Sequence, residues 1–277
     1  MNVASVSAPI PSAPPAAPMD YTDYRVQKFA SLAATYEIRH DFCQKLRQLE
    51  GYEIVIVCDD SGSMSSVVDD DQNPFGRKLT RWDELRNYVN IVTEIASCLD
   101  PDGLDIYFLN RPRLTGISSA SQVQMAFANP PKGWTPICRT LRQIFQDKAS
   151  VITEKKLLII LATDGQPTDD RGNVNTAELF NLLKSRPRNT YISVLACTDD
   201  DASVSYLNKI DREVPGIDVT DDFRSERKEI LKAQGSKYQF TFGDYVVKSV
   251  LGPVDPSFDN LDERRLHSGS AGCCTIV

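Results

Sequence analysis

Apolar runs and segments with helical spacing alternate along most of the chain. The apolar runs predict strands at 52–58, 104–109, 157–162 and 191–197, and a weaker one at 216–219. Two of these runs are continuous rather than alternating, which is typical of strands that are buried on both faces.

Amphipathic segments lie between the predicted strands. Their apolar residues recur at three-four spacing, which predicts helices on both sides of a sheet. The sets are Trp82, Leu85, Val89, Val92, Ala96 and Leu99; Ile137, Leu141, Ile144 and Phe145; Ala177, Phe180 and Leu183; Phe223, Ile230 and Leu231; Tyr245, Val246 and Val250. This alternation predicts an α/β fold with a doubly wound, mostly parallel central sheet, and 122–127 is a candidate antiparallel edge strand.

Four segments are expected along the chain. Residues 1–19 hold five prolines among Ala and Ser without a basic start, so we expect a disordered leader rather than a secretory signal. Residues 20–50 predict one long helix or two short ones, because Ile38 falls off the apolar stripe and Gly51 provides a stop. The main domain is expected at 51–252, and a flexible tail at 253–277.

Composition excludes several classes of function. The formal net charge is -7 and Lys and Arg are scattered, which argues against nucleic-acid binding. No apolar run approaches the roughly 18 residues that a membrane-spanning helix needs. The seven cysteines form no CxxC or Cys/His cluster, so a zinc site is not expected. Their odd number without framework spacing indicates a reducing compartment, and we expect a cytoplasmic protein.

Hydroxyl and carboxyl side chains follow two of the predicted strands. Asp59, Ser61 and Ser63 come directly after the strand at 52–58, and Asp164 follows the strand at 157–162. Thr135 precedes Pro136 and a predicted helix, which makes it an expected N-cap. Because ligands gather at the carboxyl ends of the strands in doubly wound sheets, these oxygens predict a site for a hard cation.

These residues resemble the metal-ion-dependent adhesion site of the von Willebrand factor A (VWA) family. The family pattern of Asp-x-Ser-x-Ser, a distant Thr and a distant Asp-Gly matches Asp59, Ser61, Ser63, Thr135 and Asp164-Gly165 in order, over roughly residues 51–252.

The resemblance implies direct metal binding by Ser61 and Ser63. It implies that Asp59 and Asp164 act through water or hydrogen bonds, and that Thr135 joins when ligand is bound. Mg2+ is the expected ion and Mn2+ the alternative. The open coordination position would take a Glu or Asp carboxylate of a protein partner. The expected function is therefore a non-enzymatic adhesion or scaffold module.

Simpler interpretations exist for each element. Asp59 could be a loop acid or a helix cap, the serines turn formers, and Asp164-Gly165 an ordinary turn. Asp60 is expected to point away from the metal. Trp134 replaces the glycine often found before the threonine in this family, and it could contact a partner or pack in the core.

A hydrolase and a structural subunit are the two alternative functions. A metal-dependent phosphatase or hydrolase would need a basic clamp, and no Lys, Arg or His occurs at 59–63, 133–136 or 164–168. A structural subunit with a vestigial site would not need the intact set of hydroxyls.

The chain ends in Cys273-Cys274-Thr275-Ile276-Val277. Cys274 has the C-a-a-X shape of a prenylation site, with Cys273 placed for palmitoylation, although valine is not a usual last residue. If lipidated, the protein would lie on a cytoplasmic membrane face. The alternative is two unmodified cysteines. The acidic runs 69–71 and 199–201 are expected to be solvated loops.

Overall fold

The computed structural model describes residues 21–68, 78–100, 102–259 and 261–262. Within them, six strands form one sheet in the order β3-β2-β1-β4-β5-β6. Strand β3 is antiparallel to β2, and all other neighbours are parallel. The bounds are β1 Tyr52–Cys58, β2 Leu104–Phe108, β3 Leu114–Ile117, β4 Lys156–Thr163, β5 Thr190–Ala196 and β6 Ile217–Thr220. The predicted fold class is confirmed.

Helices surround the sheet. Their bounds are α1 Tyr21–Thr35, α2 His40–Lys45, α3 Arg81–Leu99, α4 Ala120–Ala126, α5 Ile137–Asp147, α6 Val151–Glu154, α7 Thr176–Lys184, α8 Asp201–Val204, α9 Leu207–Glu213, α10 Phe223–Gln234, α11 Phe242–Leu251 and α12 Pro256–Asp259. Short 3-10 turns occur at Leu46–Leu49 and Gly62–Ser65. Among these helices, none combines the length and the apolar character required to span a membrane.

The continuous apolar runs arise because both faces of the sheet are covered. In β1, Ile54 and Ile56 belong to the core shared with α1, α3 and α11, whereas Val55 and Val57 belong to the core shared with α5, α7 and α9. Strand β4 divides its residues in the same alternating way. Apart from Glu53 and Lys156 near the strand starts, each residue of these two strands therefore has a buried side chain, as is typical of parallel sheets.

The N-terminal helices belong to the same core as the sheet. The predicted segment at 20–50 divides into α1, α2 and a 3-10 turn, with a break around Glu37, whose φ is +53°. Leu46 and Leu49 are fully buried in the core on the α3 side. A Cβ at Gly243 would lie 2.1 Å from the Tyr36 carbonyl oxygen, so α11 and the end of α1 are in close contact.

The prediction of a flexible tail from Pro253 is wrong for the residues that the structure describes. Phe258 in α12 is 1% exposed, and its ring meets Phe42 edge to face at 4.8 Å between centroids. An apolar side chain that finds a partner in the core orders the segment around it. Cys273, Cys274, the leader at 1–19 and the acidic run at 69–71 lie outside the described residues.

The candidate edge strand at 122–127 is also wrong, because this segment lies largely in α4 and the antiparallel edge strand is β3. Val123 and Phe127 are buried at helical i, i+4 spacing, whereas Met125 is 70% exposed. Ser119 and Gln122 form a capping box that begins the helix. That capping pattern outweighs the apparent alternation of apolar residues.

Candidate functional site

The predicted site residues follow β1 and β4, which are neighbours at the centre of the sheet. The sheet order reverses direction between these two strands, which makes this edge the topological switch point of the fold. Doubly wound sheets bind their ligands at this position, outside the carboxyl ends of the strands. The N–H of Asp59 donates to the carbonyl of Ala162 at 3.0 Å, so the two strand ends are joined directly.

Asp59 is fully buried and shapes its own loop. Its Oδ1 accepts a hydrogen bond from the Ser61 N–H at 2.9 Å, and its Oδ2 accepts one from the Thr163 hydroxyl at 2.7 Å. Burial raises the pKa of Asp59 to about 6, and repulsion from the Asp164 carboxylate acts in the same direction. A cation nearby would relieve both effects.

A chain of hydroxyl groups joins the two loops. Ser63 Oγ donates to Asp164 Oδ1 at 2.7 Å, and the Oγ atoms of Ser61 and Ser63 lie 3.0 Å apart. Because the Ser63 proton points to Asp164, Ser61 is the donor in the serine pair. Both oxygens keep lone pairs that can face a cation. Ser61 and Asp164 are each 2% exposed, whereas Ser63 is exposed, so the Ser63 hydroxyl lies at the surface and the carboxylate lies behind it.

Backbone hydrogen bonds bring the loop of Thr135 to the same place. The N–H of Gly62 donates to the carbonyl of Gly133 at 3.3 Å. The N–H of Thr135 donates to the Thr168 hydroxyl at 3.0 Å, and the N–H of Thr168 donates back to the Thr135 carbonyl at 2.9 Å. The loops after β1 and β4 are therefore both tied to the loop before α5.

Thr135 is not the N-cap that the sequence predicts. Pro136 occupies that position with φ -78° and ψ 60°, outside the helical region, and α5 begins at Ile137 without a side-chain cap. The carbonyl of Thr135 accepts the N–H of Ile137 at 2.8 Å. The Thr135 hydroxyl is therefore not committed to capping this helix.

Arg81 is a site residue that sequence reasoning missed. Its Nη1 lies 2.9 Å from Asp164 Oδ2, and its Nη2 donates to the Thr198 hydroxyl at 2.6 Å. Thr80 and Asp83 form a capping box that places Arg81 at the first position of α3. The pattern Thr-x-x-Asp before an apolar-periodic segment is visible in the sequence, and it could have placed Arg81 near the strand ends.

Asp60 holds the neighbouring loop in place. Its Oδ1 accepts from the N–H and the Nδ2 of Asn110 at 2.8 and 3.1 Å, and its Oδ2 pairs with Arg111 Nε at 3.0 Å. Asn110 Nδ2 also donates to the Trp134 carbonyl at 2.8 Å, and the Lys132 N–H donates to the Asp60 carbonyl at 2.7 Å. Burial raises the pKa of Asp60, while these hydrogen bonds favour its ionised form.

Trp134 lies on the rim of the site. Its side chain is 59% exposed, so the interpretation as a core residue is wrong. The ring lies against Gly172, where a Cβ would be 2.9 Å from Trp134 Cε2. Gly172 has a φ of +85°, a conformation that also favours glycine.

The donor set fits a hard divalent cation. Two neighbouring ligands of an octahedral Mg2+ with bonds of 2.0–2.1 Å lie about 2.9 Å apart. The Ser61 and Ser63 oxygens, at 3.0 Å, have this separation. Asp59 and Asp164 add two buried negative charges, and the ion pair with Arg81 balances one of them. No group of three or more His, Cys, Asp or Glu that could hold a metal occurs in the described residues, and this hydroxyl-based set is of another kind.

No family model matches the chain, and no curated protein shows significant similarity to it. The resemblance to the VWA family therefore depends on the motif residues alone.

Proposed function

We propose that this protein is a VWA-type binding module that docks an acidic side chain of a protein partner on a divalent cation. The cation, Mg2+ with Mn2+ as the alternative, would be held by Asp59, Ser61, Ser63, Thr135 and Asp164. The observation that carries the proposal is the pair of serine oxygens 3.0 Å apart, with one of them donating to a buried carboxylate at the switch point.

The protein residues have distinct roles in this proposal. Asp164 accepts the hydrogen bond of the Ser63 hydroxyl, which polarises the O–H bond and increases the partial negative charge on the oxygen that faces the metal. Asp59 fixes the turn between β1 and Ser61 through the Ser61 N–H. Since the ligands in direct contact are mostly neutral hydroxyls, the bound cation would stay electron-poor and would attract a partner's carboxylate.

The hydrolase alternative gains one basic group from the structure, because Arg81 lies beside Asp164. Both Nη atoms of Arg81 are already committed, to Asp164 and to Thr198. A phosphate clamp needs a cation that is free to bind the substrate. We therefore keep the non-enzymatic function as the proposal. Titration with Mg2+ separates the vestigial alternative from the proposal, because a vestigial site would not bind the ion.

The location is part of the same proposal. All five described cysteines are free thiols, and all five lie within or against the sheet cores. Unpaired thiols suit a reducing compartment, so we propose that the module acts in the cytoplasm.

Titration with Mg2+ and affinity capture test the proposed function together. We expect the full-length protein to bind Mg2+ and to capture its partner in Mg2+ but not in EDTA, and Asp164→Asn to lose both properties. Asp102→Asn makes the same charge change on an exposed residue before β2, at the other end of the strands, and should behave as wild type. Capture that survives both EDTA and Asp164→Asn would refute the proposal. Mg2+-dependent turnover of p-nitrophenyl phosphate would favour the hydrolase instead.

A further inference from the structure

An exposed apolar surface borders the proposed metal site. Trp134 is 59% exposed and Val174 is 56% exposed. We call Trp134, Val174 and the intervening Gly172 the Trp134 ledge. Large apolar side chains in water are unfavourable, and tryptophan in particular is enriched at the centres of protein interfaces.

The Trp134 ring contacts the backbone of Gly172. It lies on the Cα side of Gly172, where no Cβ can be accommodated, since one would approach three ring atoms at 2.9–3.0 Å. The Trp134 carbonyl accepts from Asn110, which is itself bound to Asp60. A surface that is ordered before binding loses little conformational entropy when a ligand arrives.

The ledge is continuous with the residues that would hold the cation. Trp134 is the chain neighbour of Thr135. Val174 forms an isolated antiparallel bridge with Thr168, and Thr168 exchanges hydrogen bonds with Thr135. A partner residue bound at the metal would therefore have its own neighbours next to the ledge.

The charges around the ledge suit an acidic partner, although the whole chain is acidic. Lys132 and Arg171 are exposed and form no ion pair within the described part of the chain. The carboxylate of Asp169 is engaged inside its own loop by Asn173, and Asp170 pairs with Arg139. Asp169 also attracts the Arg171 side chain within this loop. Lys132 and Arg171 flank Trp134 along the chain and through Gly172.

We propose that the Trp134 ledge binds an apolar side chain of the partner, one or two positions from the acidic residue that docks on the cation. Successive Cα atoms are about 3.8 Å apart. Two partner side chains that are one or two positions apart can therefore reach the neighbouring residues Trp134 and Thr135 at the same time. The inference rests on the proposed function and specifies the partner as an acidic segment with an apolar residue beside the docked carboxylate.

Selection of random linear peptides on the immobilised full-length protein in Mg2+ tests the ledge. We expect EDTA-sensitive peptides with Asp or Glu and an apolar residue one or two positions away. A selected peptide should bind Trp134→Ala about 30-fold more weakly, the usual effect of losing an interface tryptophan. Trp134→Phe should recover most of the affinity. Val26→Ala, at a residue 63% exposed on α1, is the matched control and should bind as wild type.

The outcomes separate this inference from the proposed function. Enrichment of acidic residues without apolar neighbours, or equal peptide binding by Trp134→Ala, would overturn the ledge and leave the metal site intact. Weaker Mg2+ binding by Trp134→Ala in the absence of peptide would also overturn it, because Trp134 would then only support the metal loop. Apolar enrichment that depends on Trp134 but not on an acidic residue or Mg2+ would support the ledge and refute the docked carboxylate.

Discussion

The Ser63 hydroxyl lies at the surface in front of buried carboxylates. Ser63 is exposed, whereas Asp59 and Asp164 lie behind the surface with 0% and 2% exposure. A hydroxyl at the surface can leave water for a metal without an unfavourable loss of charge solvation. The same hydroxyl donates to Asp164, so its removal should weaken metal binding and also leave a buried carboxylate oxygen without this hydrogen bond.

Ser63→Ala tests both roles of the hydroxyl. We expect Mg2+ affinity to fall at least about tenfold, since one ligand is lost, and the free energy of unfolding to fall by about 1–3 kcal/mol, because the buried Asp164 loses a hydrogen bond. Calorimetric titration and urea unfolding would measure the two quantities. Ser65→Ala changes another exposed serine in the same 3-10 turn and should leave both unchanged. Equal effects of the two variants would contradict the assignment of Ser63.

The pKa of Asp59 predicts a pH dependence of stability in metal-free protein. Its pKa rises from 3.8 to about 6 on folding, mainly through burial. Between these values the folded state holds a proton that the unfolded chain has released, so stability falls as pH rises from about 4 to 6. The expected loss is about 2–3 kcal/mol, all of it present by about pH 7.

Urea unfolding in EDTA across pH 4–7 would measure this loss. Mg2+ should restore stability mainly above pH 6, where Asp59 is ionised, because the cation binds the folded state. Asp59→Asn keeps the side-chain shape without the charge and should flatten the pH dependence. A slope that is the same in wild type and variant would show that Asp59 is not its source.

Among the helices and strands, the sequence predicts those that have a local periodic pattern of apolar residues. The bounds of β1 agree with the predicted run at 52–58, and those of β4 extend the predicted run by one residue at each end. Helix α4 was missed because the buried Val123 and Phe127, the residue after the helix, also fit an alternating pattern. Arg81 was missed because its contact with Asp164 spans 83 positions, and only the sheet order brings them together.

The capping box of α3 should stabilise the start of this helix. Thr80 accepts from the Asp83 N–H at 3.1 Å and begins the helix that carries Arg81. Thr80→Ala should lower the free energy of unfolding by about 1 kcal/mol, measured by urea unfolding. Thr80→Ser keeps the hydroxyl and should lose much less. Equal losses would mean that packing of the threonine methyl group, rather than the cap, stabilises this end of α3.

The core of the whole molecule includes segments on both sides of the repeating strand-helix pattern. The predicted boundaries at 51 and 252 separate the main domain from flanking segments that the structure places in its core. Helix α2 contributes Phe42, the following turn contributes Leu46 and Leu49, and α12 contributes Phe258. The i, i+4, i+7 spacing of Phe42, Leu46 and Leu49 indicates a helical face, but it does not say which core that face packs against, and the lone Phe258 carries no periodic signal.

Phe258→Ala tests whether the end of the described chain stabilises the whole molecule. The residue is 1% exposed and contacts Phe42 edge to face, so its truncation leaves a cavity between α2 and α12. We expect a loss of about 3–5 kcal/mol in the free energy of unfolding. Ser257→Ala, which removes only an exposed hydroxyl near Lys45, should lose less than about 1 kcal/mol. If α12 were merely adjacent to an independent domain, both variants would unfold like the wild type, because an attached segment contributes nothing to the stability of a core that it does not fill.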